Sequence, residues 1–102
     1  MSILETRGGS PHIFRDTIDT TGRSHFIKSV SKWICIRVAT NPCRIYFTED
    51  DYDNDENYIE VPIASTSTPY GQWSGPIETN NIWLKGVGGN SVVEFVAIKR
   101  LN

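Results

Sequence analysis

The sequence predicts an all-β protein: a single-domain antiparallel β-sandwich or small barrel of seven or eight short strands with no long helix. Three observations carry this. Apolar and polar residues alternate with period two in most apolar stretches. Turn-forming residues recur about every 8–12 positions. Nowhere do apolar residues repeat at the helical period over about ten or more positions. A chain of 102 residues buries one core, between two layers. Spacing alone leaves jelly-roll and immunoglobulin-like topologies both open.

Residues 1–11 read as an N-terminal arm and residues 12–102 as the sandwich domain. Arg7-Gly8-Gly9-Ser10-Pro11 is pliable by composition, and Ile3 and Leu4 stand on the arm as apolar residues outside any core pattern. Such an arm lies either on a neighbouring subunit or back on its own domain. In residues 12–17 (HIFRDT), Phe14 and then Ile18 share one face and Ile13 takes the other. Asp19-Thr20-Thr21-Gly22 closes that strand with a turn, and residues 23–30 (RSHFIKSV) supply a second strand.

The organising stretch is residues 33–61, which read as strand, tight turn, strand, acidic loop, strand. Ile34, Ile36 and Val38 form the expected core face, and Trp33, Cys35 and Arg37 the other. Asn41-Pro42 breaks the run. Residues 44–48 begin a new strand with Ile45 and Phe47 on one face, and the short separation predicts an antiparallel hairpin. Residues 49–57 then carry six of the chain's twelve acids. Burying them would be costly, so they are expected in an exposed loop. Asp51, Asp53 and Asp55 have the spacing that opens a calcium-binding EF-hand loop and are the candidate cation ligands. Glu56 stands where that loop needs glycine, and Pro62 where it needs a bidentate glutamate. A solvated loop, or a docking face for a basic partner, explains the same residues, and no metal or other cofactor is expected.

Residues 58–63 (YIEVPI) are expected to point Ile59, Val61 and Ile63 inward, with Pro62 at a strand end or sheet edge. Residues 64–72 are the longest expected loop, and residues 73–77 (WSGPI) contain a turn and a large aromatic. Residues 81–85 (NIWLK) form a strand, and residues 86–90 a glycine-rich hairpin connection. Residues 91–101 (SVVEFVAIKRL) are the strongest strand, with Val93, Phe95 and Ala97 on one face and Val92, Val96 and Ile98 on the other. A strand apolar on both sides belongs inside the domain or at a subunit contact.

The formal charge of -2 and the absence of any basic cluster beyond Lys99-Arg100 predict no nucleic-acid partner. No apolar run approaches the ~18 residues of a membrane span, and the N-terminus lacks the pattern of a secretory signal. A hairpin about Asn41-Pro42 would place Cys43 opposite position 40, away from Cys35. Free thiols in a protein made in the cytoplasm are therefore expected. The two histidines, His12 and His25, accompany no motif that marks either cysteine as a nucleophile, and no G-x-S-x-G elbow exists. No enzyme is expected. Trp33 and Trp83 lie inside strands as packing residues. Tyr70 and Trp73, in a loop region, are candidates for contact with another protein or, with the other tryptophans, for a sugar-binding platform.

Four segments, residues 44–53 (RIYFTEDDYD), 58–62 (YIEVP), 73–76 (WSGP) and 81–100 (NIWLKGVGGNSVVEFVAIKR), resemble the strand-and-turn pattern of small all-β structural proteins of tailed bacteriophages. The resemblance spans a little over half the chain and includes no catalytic signature. It implies a jelly-roll-like capsid decoration (cement) protein on the virion's outer surface, binding the major capsid protein and assembling as a homo-oligomer, preferentially a trimer. Ile3, Leu4, Arg7, Tyr70 and Trp73 are then the expected interface residues. Another virion component (head fibre base, tail or adaptor subunit) and a carbohydrate-binding sandwich module are the alternatives.

Overall fold

The computed structural model describes residues 11–63 and 71–99. They form β1 (His12–Ile18), β2 (Arg23–Phe26), β3 (Ser31–Ala39), β4 (Cys43–Tyr46), α1 (Glu49–Asn54), β5 (Ile59–Val61), β6 (Gly71–Gly75), β7 (Asn81–Gly86) and β8 (Ser91–Lys99). The strands make two four-stranded antiparallel sheets, β1-β8-β3-β6 and β2-β7-β4-β5. The pairings are nested: β1 with β8, β2 with β7, β3 with β6, β4 with β5. The chain is thus one long hairpin rolled over on itself, a jelly roll. The additional pairings β8–β3 and β7–β4 complete each sheet.

Side-chain alternation places the core between the sheets. Ile34, Ile36 and Val38 of β3, Ile45 of β4, Ile82 and Leu84 of β7, and Val93, Phe95 and Ala97 of β8 are all buried there. β8 is paired along both edges, with Val93, Phe95 and Ala97 buried and Val92 and Val96 half-buried on the outer face. At one open side of the sandwich, edge strands β1 and β2 are clasped by Asp16. Its carboxylate accepts from Arg23 at 3.0 Å and meets His25 Nε2 at 3.1 Å. Behind it the Phe14 ring stacks between His25 (3.9 Å) and Phe95 (4.9 Å).

The corners at each end of the sandwich are bonded to one another. Gly86 N–H donates to Asp19 O at 2.9 Å, and Val87 N–H to Pro42 O at 3.0 Å. The Asn41 side chain donates to Asn90 O at 2.9 Å. At the other end, Ser31 N–H donates to Thr79 O, while its buried hydroxyl donates to Ile77 O at 2.6 Å and accepts from Thr79 N–H at 3.2 Å. The β1–β2 corner is an Asx turn in which Asp19 Oδ1 accepts from Thr21 and Gly22 N–H. Gly22 has φ 86°, and a Cβ there would lie 2.3 Å from Leu84 O; only glycine fits.

Several expectations are corrected. Residues 33–48 are not a hairpin: β3 and β4 lie in different sheets, and Asn41-Pro42 carries the chain across the sandwich. Alternation reports which face is buried, and it is the same whether the next strand lies beside or opposite. The glycine-rich stretch 86–90 is likewise a crossover between sheets and not a hairpin connection. β2 stops at Phe26, short of the expected strand end at position 30. Residues 71–75, expected as loop and turn, are strand β6, held by backbone pairing to β3 and flanked by glycines that give no alternation signal. The acidic stretch is no irregular loop, since α1 occupies it; a six-residue helix is too short to show a helical period. Ile63, expected inside, is 41% exposed because β5 ends at Val61, just before Pro62.

The β3–β4 corner stores strain. Asn41 N–H donates to Ala39 O at 2.9 Å, closing a three-residue turn around Thr40, whose φ is 76°. That region is unfavourable for a β-branched residue. Thr40 is exposed, so its side chain contributes no burial in return. Thr40→Gly is expected to raise the unfolding free energy by about 1 kcal/mol in urea titrations. Leu84→Ala, which empties a fully buried site, is expected to cost about 3 kcal/mol in the same assay.

Candidate interaction surface

The two sheets differ in what covers their outer faces. On β2-β7-β4-β5 the cover is α1. Thr48 starts it: its Oγ1 accepts from Asp51 N–H at 3.1 Å, and Glu49, Asp50 and Asp51 fill the first turn, where the helix dipole favours negative charge. Asp55 ends it in a left-handed conformation, φ 53°. The helix is fastened to the sheet by its far end. Asp55 accepts two bonds from Arg44 of β4, at 2.8 and 3.0 Å, and one from the hydroxyl of Tyr46. Arg44 also donates to Glu60 of β5 at 3.0 Å and lies over the Tyr58 ring at 4.3 Å.

Tyr52 packs edge-on against Tyr46, and its hydroxyl reaches the β1–β2 corner, donating to Thr21 O at 2.6 Å. Lys85 of β7 sits over the Tyr52 ring at 4.8 Å and donates to Tyr52 O at 3.3 Å. Tyr46 points outward from its sheet yet is fully buried. The Tyr46 hydroxyl first, then Arg44, holds the Asp55 carboxyl below the usual carboxylate range.

Among the described residues no helix lies over the outer face of β1-β8-β3-β6. Register aligns its outward residues in rows: Ile13, Val96, Cys35, Ser74; then Arg15, Glu94, Arg37, Gln72; then Thr17, Val92, Ala39. Ile13 is 66% exposed, and Trp33, beyond the first row on β3, is 40% exposed. Val92, Val96 and Cys35 are half-buried. Arg15 and Glu94 form an ion pair across β1 and β8, and the guanidinium lowers the Glu94 pKa. Two shallow grooves flank this charged row, one walled by Ile13, Cys35 and Val96, the other by Val92, Ala39 and Ile63. The face is therefore an apolar row beside an alternating charge row, the mixture found where proteins meet.

The expected site residues fall as follows. Ile3, Leu4, Arg7 and Tyr70, with the arm, lie outside the described residues. Trp73 is not in a loop: it projects inward from β6 and packs against the core. Trp83 lies inside β7 as expected and, alternating with buried Ile82 and Leu84, points outward from its sheet. Trp33, Trp73 and Trp83 occupy three different faces and form no shared platform.

Asp51, Asp53 and Asp55 do not converge as loop ligands. Asp51 accepts from Asn57 at 3.1 Å, Asp53 is exposed on the helix, and Asp55 is engaged by Arg44 and Tyr46. Among the described residues no group of three or more His, Cys, Asp or Glu side chains is placed to hold a metal ion. Both cysteines are free. Cys43 faces the core, its thiol pushed up to about 12 by burial, and Cys35 lies on the outer face. His25 points inward to Asp16, so neither cysteine is paired with it.

Reasoning from the sequence missed the charged row, because Arg15, Arg37 and Glu94 become neighbours only through strand order. The signal available was that each stands at an outward position of its own strand. No family model, curated protein or solved structure matches this chain.

Folding depresses the Asp55 pKa, so at acid pH the folded state binds fewer protons than the unfolded chain. The contribution of Asp55 is present at neutral pH and is lost as pH falls through the carboxylate range. Asp55→Asn is expected to lower the thermal midpoint at neutral pH and to flatten the acid limb of a stability–pH profile. Tyr46→Phe is expected to cost about 1 kcal/mol at neutral pH by urea titration.

Proposed function

We propose that this chain is a virion structural protein, a capsid decoration protein that binds the outer surface of a tailed-bacteriophage shell and clamps adjacent major capsid subunits. The observation that carries this reading is the asymmetry of the sandwich among the described residues, with one outer face strapped by α1 and the other presenting exposed Ile13 and Trp33. The resemblance of residues 44–53, 58–62, 73–76 and 81–100 to such proteins supports it, and the jelly roll is a fold that virion proteins use, although a fold alone does not imply a function.

The action is mechanical. Burying a standard interface of ~800 Å² per partner at each repeat of the shell raises the cost of separating its subunits. Homo-oligomerisation multiplies weak contacts into firm attachment. The protein is made in the host cytoplasm and ends on the particle surface.

The test is binding of the purified protein to shells assembled without it. Saturable attachment and a higher shell disassembly temperature are expected. Deleting residues 1–9 is expected to weaken attachment with the domain still folded by circular dichroism. No attachment of the intact protein to any shell tested would overturn the reading.

A further inference from the structure

We infer that the outer β1-β8-β3-β6 face pairs with the same face of a second copy of this chain, about a two-fold axis parallel to the strands and midway between β8 and β3. This rests on the reading of that face as an assembly surface, assigns it to the contact between copies as a two-fold pair in place of the trimer, and leaves shell attachment to the remaining surface.

The order of charges selects the partner and its orientation. Across the sheet the middle row runs Arg15, Glu94, Arg37, Gln72 on β1, β8, β3 and β6. A two-fold axis along the strands between β8 and β3 lays β8 over β3 of the copy and β1 over its β6. Glu94 then meets Arg37 of the second copy, Arg37 meets its Glu94, and Arg15 meets Gln72. In the next row Val96 lies over Cys35, apolar on apolar, and Ile13 over Ser74. An axis across the strands through the charged row would instead lay Glu94 over Glu94 and Arg37 over Arg37, which like-charge repulsion disfavours. Of the two arrangements, only the first opposes unlike charges. Two sheets packed this way cross at about 30°, the usual angle of aligned sandwiches.

Area sets the strength. Four strands about 4.8 Å apart, with about 3.3 Å per residue, give a face of roughly 19 by 25 Å, or about 480 Å². That is less than the ~800 Å² per partner of a standard interface. The pair is therefore weak in free solution and becomes effective where copies are held close together.

Charge reversal tests the pairing in trans. Glu94→Arg gives a chain with two positive positions, and Arg37→Glu a chain with two negative ones. Within either variant a symmetric pair opposes like charges, whereas a mixed pair opposes unlike charges at both contacts. In sedimentation velocity at high micromolar to millimolar concentration, the wild type is expected to show a monomer–dimer equilibrium. Each variant alone is expected to be monomeric, and their equimolar mixture to recover the dimer. A wild type monomeric throughout, a trimer, variants that dimerise alone, or a mixture that stays monomeric would each overturn the inference.

Should a variant fail to fold, wild-type amide shifts read on dilution decide the matter. Changes confined to outward positions such as Ile13, Cys35, Arg37, Glu94 and Val96 are expected, and changes on the α1 side, or none, would overturn it. Shell binding by a wild type that remains monomeric would sink this pairing and leave the decoration reading standing.

Discussion

The pairing of β8 with both β1 and β3 is the constraint on which the rest of the structure depends. It joins the first and last strands of the described chain and places Val93, Phe95 and Ala97 at the centre of the core. Once β1 lies beside β8, β2 can lie beside β7, β3 beside β6 and β4 beside β5, each pair in the tier below. The two sheets are then halves of one rolled ribbon, and their corners meet at the ends of the sandwich. The backbone bonds between those corners, such as Gly86 to Asp19 and Ser31 to Thr79, follow from the nesting.

Much of this was legible because burial alternates. Ile34, Ile36 and Val38, and Val93, Phe95 and Ala97, declare their inward faces by period two, and these faces hold in the structure. Neighbour relations were not legible. Asn41-Pro42 and residues 86–90 look like hairpin turns, but each passes the chain to the opposite sheet, and nothing local in the sequence separates those outcomes. β6 was hidden because its inward residue, Trp73, stands between glycines. α1 was hidden because it is short and charged and, apart from its local Thr48 cap, is held by tertiary contacts of Asp55 and Tyr52 with Arg44 and Tyr46 of the sheet.

The same logic applies to the interaction surface. Cys35, Val96 and Ile13 are unremarkable outward positions on three strands, and they become a row only when strand order is known. The prominent sequence features proved to have internal uses. The acids at 51 and 55 brace the strap, and Trp73 fills the sandwich. An abundance of charge or aromatic area in a sequence identifies the side chains available; which of them meet the outside depends on topology.

The nested connectivity also has a consequence for how the protein is made. Arg15 and Glu94 are ion-paired across a separation of 79 residues. The sheet that contains them cannot close until β8 has emerged from the ribosome, so closure of the core waits for its last strand. Of the paired strands, β4 and β5 lie nearest in sequence and can meet first. Topologies dominated by such distant pairings fold slowly, and their unfinished edges are prone to aggregate. Expression at reduced temperature, where synthesis slows and misassociation is weaker, is accordingly the natural route to soluble material.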